Sequence, residues 1–152
     1  MGTYEDFDLD FANRTEQILI QYEKCIPTGK ENYEVTLLLN CLLGLVILPQ
    51  ERRFSEIPDL GLDAMDSWGL RSSFVCSWGK VTARDRNTLP GLIHRLRNSI
   101  AHLIIEAHGS RDNISEIEFR DKNGFRLLIP VDNLKQFVKS FSKYMAQVKV
   151  RG

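Results

Sequence analysis

The sequence predicts a mainly α-helical fold, an up-and-down bundle of four or five helices with a small β-hairpin before the last helix. Apolar residues recur at three- and four-residue spacing over several long stretches, which is typical of helices that bury one face. A single alternating region surrounds the pair Asn123 and Gly124, and Asn-Gly is a strong signal for a hairpin turn. At 152 residues and 43% hydrophobic content, residues 1–152 are predicted to form one domain.

The first two helices are predicted from their caps and their apolar content. The first begins at Asp8 or Asp10, because aspartate is a good N-cap, and runs to about Cys25. The second spans Tyr33–Leu48 and stops before Pro49. It is apolar nearly all round, so we expect it at the centre of the bundle.

Residues 50–87 are predicted to be an irregular insertion, because proline and glycine break them into short pieces. A structureless loop of this length is unusual in a compact domain, so we expect short helical turns at residues 63–68 and 74–78. Trp68 and Trp78 are expected to pack on the bundle, with stacking on an RNA base as the alternative.

The third helix contains the most informative stretch, Leu92–Ile105. Thr88 suits its N-cap, and Pro90 suits its first turn, where a missing N–H costs little. Apolar side chains at helical spacing define the face expected to be buried: Leu92, Ile93, Leu96, Ile100, Leu103 and Ala107.

A β-hairpin and a last helix are predicted to follow a polar stretch at residues 107–113. Two alternating runs, residues 114–120 and 125–129, flank the turn and give a hairpin over residues 114–130. Pro130 and Asp132 then open a final helix with a strongly apolar side. Because two strands alone are marginally stable, the hairpin must pack on the helices.

The charge distribution is more informative than the total, which is zero. Residues 1–16 carry a net charge of −4, and residues 80–97 carry a net charge of +4. The third helix is therefore preceded by a locally basic segment, although such a segment can also be an ordinary solvated face.

The cysteines and the two ends of the hydropathy scale indicate where the protein works. There are three cysteines, an odd number, and none has C-x-x-C spacing, which suits reduced thiols in the cytoplasm. The acidic start does not resemble a signal peptide, and the longest apolar run is too short to cross a membrane.

The polar side of the third helix carries His94, Asn98 and His102 at four-residue spacing, and Arg97 lies on its flank. Arg97, Asn98 and His102 form the pattern Arg-polar-x-x-x-His. Alone, such a pattern often arises by chance, and a helical histidine is usually an ordinary surface residue. The pattern lies after two clearly predicted helices and before a hairpin and a last helix, and this order of elements makes a chance match a poorer explanation.

In that setting the stretch from Leu96 to His102 resembles the HEPN superfamily, whose mark is Arg, a polar residue, a few further residues and then His. A second stretch, Leu37–Glu51, resembles the apolar second helix of compact bacterial, often plasmid-borne, members. The resemblance covers roughly residues 8–148 and is weakest between residues 54 and 86. It implies a HEPN-type bundle and a cytoplasmic ribonuclease of the toxin or phage-defence kind, with an antitoxin as a further partner.

The spacing of the motif bears on how these residues could act together. Arg97 and His102 are five positions apart, which is about 140° around a helix and about 7.5 Å along it. One helix does not easily aim both side chains at one atom, whereas two copies related by a two-fold axis can. The resemblance implies the same arrangement, because HEPN ribonucleases dimerise through this helix and line one cleft with Arg and His from both protomers.

The reaction that suits these groups is metal-independent cleavage of RNA. His102 would move protons, Arg97 would stabilise charge on the phosphoryl oxygens, and Asn98 would orient His102 or donate to phosphate. The product would be a 2′,3′-cyclic phosphate. Further basic residues near the motif are expected to bind the RNA substrate: Arg84, Arg86, His94 and Arg95.

Three other readings remain open from the residues. The chain could be a non-catalytic HEPN module that binds RNA or a partner protein, or a structural helical dimer. A metal site at His94, Asn98 and His102, with His108 nearby, is weaker because Asn is a poor transition-metal ligand. We therefore expect no cofactor and no metal.

The chain departs from some HEPN toxins at one position. Those toxins carry a modifiable Tyr two residues after the motif His. Here that residue is Ile104, which puts this kind of regulation in doubt.

Overall fold

The computed structural model describes residues 7–24, 34–52, 57–110 and 113–147. Within them the chain forms four α-helices and a four-stranded antiparallel sheet. The prediction of a mainly all-α bundle is therefore wrong, and the fold is a mixture of helices and sheet. The elements in chain order are α1 (Phe7–Lys24), α2 (Glu34–Arg52), β1 (Val75–Ser77), α3 (Leu89–Ala101), β2 (Ile105–Ser110), β3 (Asn113–Arg120), β4 (Arg126–Pro130) and α4 (Val131–Gln147).

The sheet has the strand order β1-β4-β3-β2. Its centre is the predicted hairpin, in which Ile117 of β3 pairs with Ile129 of β4, and Phe119 pairs with Leu127. The hairpin is thus confirmed, but β1 and β2 were not predicted. The strand β2 occupies the polar stretch, and its small and polar residues give no strand signal. The register of β2 against β3 shifts after His108, which is a β-bulge on this edge strand.

The two faces of the sheet differ in chemistry. Side chains on the inner face are buried against α3 and α4: Ile117, Phe119, Leu127 and Ile129. Residues one position away along the strands point to the opposite side and form a charged outer face: Glu106, Glu118, Arg120 and Arg126. The inner face completes the core, so the sheet forms one side of the hydrophobic interior rather than a separate layer.

The helices pack around α4, which contacts α1, α2, β3 and β4. The helix α2 packs on α1, α3 and α4 and buries Leu38, Leu42 and Leu45, but Leu43 is 37% exposed. The helix α2 therefore contacts all three other helices, as a central helix should, although one side of it faces solvent. It also continues through Pro49 to Arg52, past the predicted end. The contact between α1 and α2 is close at Gly44, where an added Cβ atom would lie 2.1 Å from the Phe11 ring and would force the ring to move.

The segment between α2 and α3 is built of short turns. Two 3-10 turns, Leu62–Ala64 and Asp66–Trp68, confirm the short helical turns predicted at residues 63–68. The second predicted turn, at residues 74–78, is wrong because β1 occupies that stretch. Both tryptophans pack on the core as expected: Trp68 lies 5.6 Å from the Tyr144 ring, and Trp78 lies 5.7 Å from the Phe125 ring.

A buried ion pair joins α3 to the turn of the hairpin. The Arg95 guanidinium donates to the Asp121 carboxylate at 2.8 Å and also to the carbonyl of Lys80. The other Asp121 oxygen accepts the backbone N–H groups of Asn123 and Phe125 at 2.8 and 3.0 Å. Both charges are buried, so removal of either side chain would leave the other charge in the interior without its counter-charge.

Burial opposes ionisation of Asp121, but the N–H of Phe125, the Arg95 guanidinium and the N–H of Asn123 outweigh it. The pKa of Asp121 is therefore held below its usual value. A carboxylate with a lowered folded-state pKa stabilises the fold at neutral pH and loses that contribution as the pH falls through this pKa.

We expect Arg95→Ala to lower the free energy of unfolding by about 3–5 kcal/mol, because it leaves a buried carboxylate without its partner. Asp121→Asn should cost a similar amount, because it leaves the buried Arg95 guanidinium without its counter-charge, although the two turn N–H groups keep their acceptor. Arg86→Ala is the matched control: Arg86 is exposed, so its loss should change stability by about 0.5 kcal/mol or less. Urea denaturation measures all three, and equal stability of Arg95→Ala and Arg86→Ala would contradict this role.

Candidate functional site

The motif lies on α3, which begins as predicted. Thr88 is the N-cap, and its hydroxyl accepts the N–H of Gly91 at 3.2 Å, while Pro90 occupies the first turn. The helix ends at Ala101, so the prediction that it continues to Ile105 is wrong.

The end of α3 is a tight reversal of the chain directly at the motif histidine. His102 is the C-cap, the N–H of Leu103 donates to the carbonyl of Ile100, and the N–H of Ile104 donates to the carbonyl of Ser99. These two hydrogen bonds define a Schellman motif, whose left-handed residue is usually glycine. Here that residue is Leu103, with φ of 55° and a side chain that is 82% exposed.

Leu103 was expected on the buried face of a longer helix, and that expectation is wrong. Ala107 was expected there too, but it lies exposed in β2. The strained left-handed conformation of Leu103 closes the turn at the end of the helix, but the described residues leave its large apolar side chain exposed. Such strain is characteristic of functional positions.

The side chains of α3 divide into a buried face and a polar face. Leu92, Ile93, Leu96 and Ile100 are buried as predicted. Arg97 and Asn98 are half-buried, whereas His94 and His102 are exposed. The three motif residues thus lie on the last turns of one helix, with His102 at its exposed end.

Two of the predicted substrate-binding residues share a groove at the other end of α3. Arg84 and His94 line this groove of about 480 Å³ together with Asp59, Asp85, Ile57, Thr88 and Pro90. Arg86 is exposed on the same turn but does not line the groove.

Arg95 was also predicted to bind substrate, but the structure gives it a different surrounding. It is 5% exposed, and its guanidinium is bound to Asp121 and to the Lys80 carbonyl. It therefore does not belong to the accessible basic surface. The sequence did not reveal Asp121 as the partner of Arg95, because an Asp at the start of an Asn-Gly turn is expected to hydrogen-bond only within that turn.

The comparisons with known proteins agree with the motif. A family model described as HEPN pEK499 p136 matches residues 1–150. The chain is therefore a HEPN-superfamily protein. Within that superfamily it belongs to the HEPN pEK499 p136 family. No curated protein and no solved structure matches it. Among the described residues, every helix is too short or too polar to cross a lipid bilayer.

We expect Leu103→Gly to stabilise the protein by about 1 kcal/mol, because glycine adopts the left-handed conformation without the clash that Leu103 suffers. The loss of the exposed side chain removes little buried surface in the monomer. Leu103→Val should destabilise, since a β-branched residue fits this conformation worse. Thermal denaturation of the two variants tests the order, and a Val variant as stable as the Gly variant would show that the turn is not strained.

Proposed function

We propose that this HEPN protein is a metal-independent endoribonuclease that acts as a toxin or in phage defence. The observation that carries the proposal is the complete motif Arg97, Asn98 and His102 on the accessible end of α3, in a chain of the HEPN pEK499 p136 family. These three side chains supply a proton carrier, a permanent cation and a polar positioning group, so the proposed chemistry needs no metal ion.

In the proposed reaction the ribose 2′-oxygen attacks the adjacent phosphorus as one His102 imidazole removes the 2′-hydroxyl proton. The bond from phosphorus to the 5′-oxygen breaks, and the leaving oxygen takes a proton from a charged imidazole. Arg97 stabilises the negative charge that builds on the phosphoryl oxygens. The products are a 2′,3′-cyclic phosphate and a 5′-hydroxyl, so the substrate must be RNA rather than DNA.

The groove at Arg84 and His94 gives the RNA a path along α3. His94 and His102 are separated by eight residues, which is about 12 Å along the helix and about 80° around it. RNA that places its scissile phosphate at His102 can therefore place a neighbouring nucleotide at the groove. In this role Arg84 contributes attraction for phosphate, and Asp59 and Asp85 offer acceptors for base N–H groups.

The active form is proposed to be a two-fold dimer through α3. Arg97 is half-buried and His102 is exposed, and they point to different sides of one helix. A two-fold axis brings the Arg97 of one protomer towards the His102 of its partner and doubles the positive charge in the shared cleft. The exposed Leu103 beside His102 supplies apolar surface that such an interface would bury.

An alternative is a HEPN module that binds RNA or a partner protein without cutting. The separation of Arg97 and His102 around α3 favours it if the chain acts as a monomer. Cleavage assays distinguish the two functions directly.

We expect the purified protein to cut RNA in the presence of EDTA and to leave a 2′,3′-cyclic phosphate. His102→Ala should lower the rate by about 10²–10⁴-fold, because it removes the proton carrier. Lys122→Ala is the matched control, since Lys122 is an exposed residue of the hairpin turn and lies outside the motif and the groove. Inhibition by EDTA, or a His102→Ala variant as active as Lys122→Ala, would contradict the mechanism.

Subunit mixing tests the shared cleft. Excess His102→Ala protein is added to wild type, and the subunits are allowed to exchange. Because the single shared cleft would use the His102 imidazoles of both protomers, a mixed dimer is impaired, and activity should fall faster than the fraction of wild-type subunits. A strictly linear decline, or full activity of a monomer at high dilution, would show that each protomer carries its own site.

A further inference from the structure

We propose that Glu106, His108 and Glu118 bind a divalent transition-metal ion, best Zn²⁺, on the outer face of the sheet. One ligand atom from each of these side chains lies within 4.8 Å of the other two. This site is separate from the proposed ribonuclease chemistry and would clamp the edge strand β2 to β3.

The register of the sheet explains why these residues meet. Glu106 of β2 pairs directly with Glu118 of β3, and His108 follows Glu106 by two residues, so its side chain lies on the same face. The His108 Nε2 atom is 3.8 Å from the Glu118 Oε1 atom. Two ligands bound to one Zn²⁺ at about 2.0–2.1 Å in tetrahedral geometry are about 3.4 Å apart. The three side chains, whose ligand atoms lie within 4.8 Å of one another, would therefore have to move closer together to bind the ion.

The His108 nitrogen is the second observation that points to a ligand. The imidazole as a whole is 39% exposed, yet its Nε2 atom is buried and has no hydrogen-bond partner among the described residues. Buried polar atoms are nearly always satisfied, so an exception needs an explanation. A metal ion at the centre of the cluster would satisfy the nitrogen and draw both carboxylates towards it.

Glu118 is prepared as a ligand by two arginines. Its side chain is 1% exposed, Arg126 donates to Oε1 at 2.8 Å, and Arg120 contacts Oε2. Burial opposes the charge of Glu118, but the hydrogen bonds from Arg126 and Arg120 outweigh it and hold its pKa below the usual value. The carboxylate therefore stays ionised and fixed in orientation, as metal-binding carboxylates usually are.

The ligand set and the local charge predict which ions bind and how tightly. One imidazole with two carboxylates suits Zn²⁺, whereas Mg²⁺ prefers oxygen ligands alone. The two arginines cancel the charge of Glu106 and Glu118, which weakens attraction for any cation. We therefore expect saturable binding of Zn²⁺ and no saturable binding of Mg²⁺.

Isothermal titration of the EDTA-treated, dialysed full chain with ZnCl₂ tests the site. The chain has three histidines, so the double variant His94→Ala/His102→Ala leaves His108 alone. Wild type and this double variant should bind one Zn²⁺ equally, and His108→Ala should bind at least about tenfold more weakly. Glu106→Gln changes an exposed ligand and should show the same loss if His108→Ala does not fold. Zn²⁺ should also raise the Tm of wild type and not that of His108→Ala.

Several results would overturn the proposal. These are no saturable Zn²⁺ binding by wild type, binding unchanged by both His108→Ala and Glu106→Gln, or Mg²⁺ binding as tight as Zn²⁺ binding. Cys76 is exposed, so Cys76→Ser is included as a thiol control. Binding that disappears with Cys76→Ser and persists in His108→Ala would assign the ion to the thiol. None of these outcomes depends on RNA cleavage, because the titration uses no RNA.

Discussion

The buried ion pair between Arg95 and Asp121 is the interaction on which the arrangement of the molecule depends. It connects the middle of α3 to the turn between β3 and β4, and through the Lys80 carbonyl it also fixes the segment after β1. Helix and sheet are thereby locked in one relative orientation. Arg95 is next to His94 and two residues before Arg97 in α3. By holding Arg95 in the interior, the ion pair fixes the rotation of α3 about its own axis, which leaves His94 exposed and Arg97 half-buried.

The reversal after α3 brings the motif residues to the surface of the molecule. The helix ends at Ala101 with His102 as its C-cap, and the chain turns through Leu103 and Ile104 directly into β2. The backbone N–H of Arg120 donates to the Ile104 carbonyl at 3.0 Å, so the end of the helix is held against the sheet. The motif residues therefore lie at the border between the helices and the sheet, where a second molecule or an RNA chain can approach them.

Part of this structure could be predicted from the sequence, because the signals involved are local. The Thr88 cap, the Asn-Gly turn and the alternation around Ile117 and Phe119 depend on neighbouring residues, and each was predicted correctly. The strand β2 was not, since its strand conformation comes from pairing with β3 rather than from its own composition. The role of Arg95 was missed for a similar reason: its partner lies 26 positions away in the chain. The motif residues could be named, but only the fold shows that α3 stops at the last of them.

The bulge in β2 has a consequence for self-association. An edge strand presents unpaired N–H and C=O groups, which can template the addition of further strands from other copies. In this chain the register shift after His108, with Gly109 at φ of 137°, bends that edge out of line with an incoming straight strand. Open-ended stacking of copies along this edge of the sheet is thereby disfavoured, and the opposite edge strand, β1, is only three residues long.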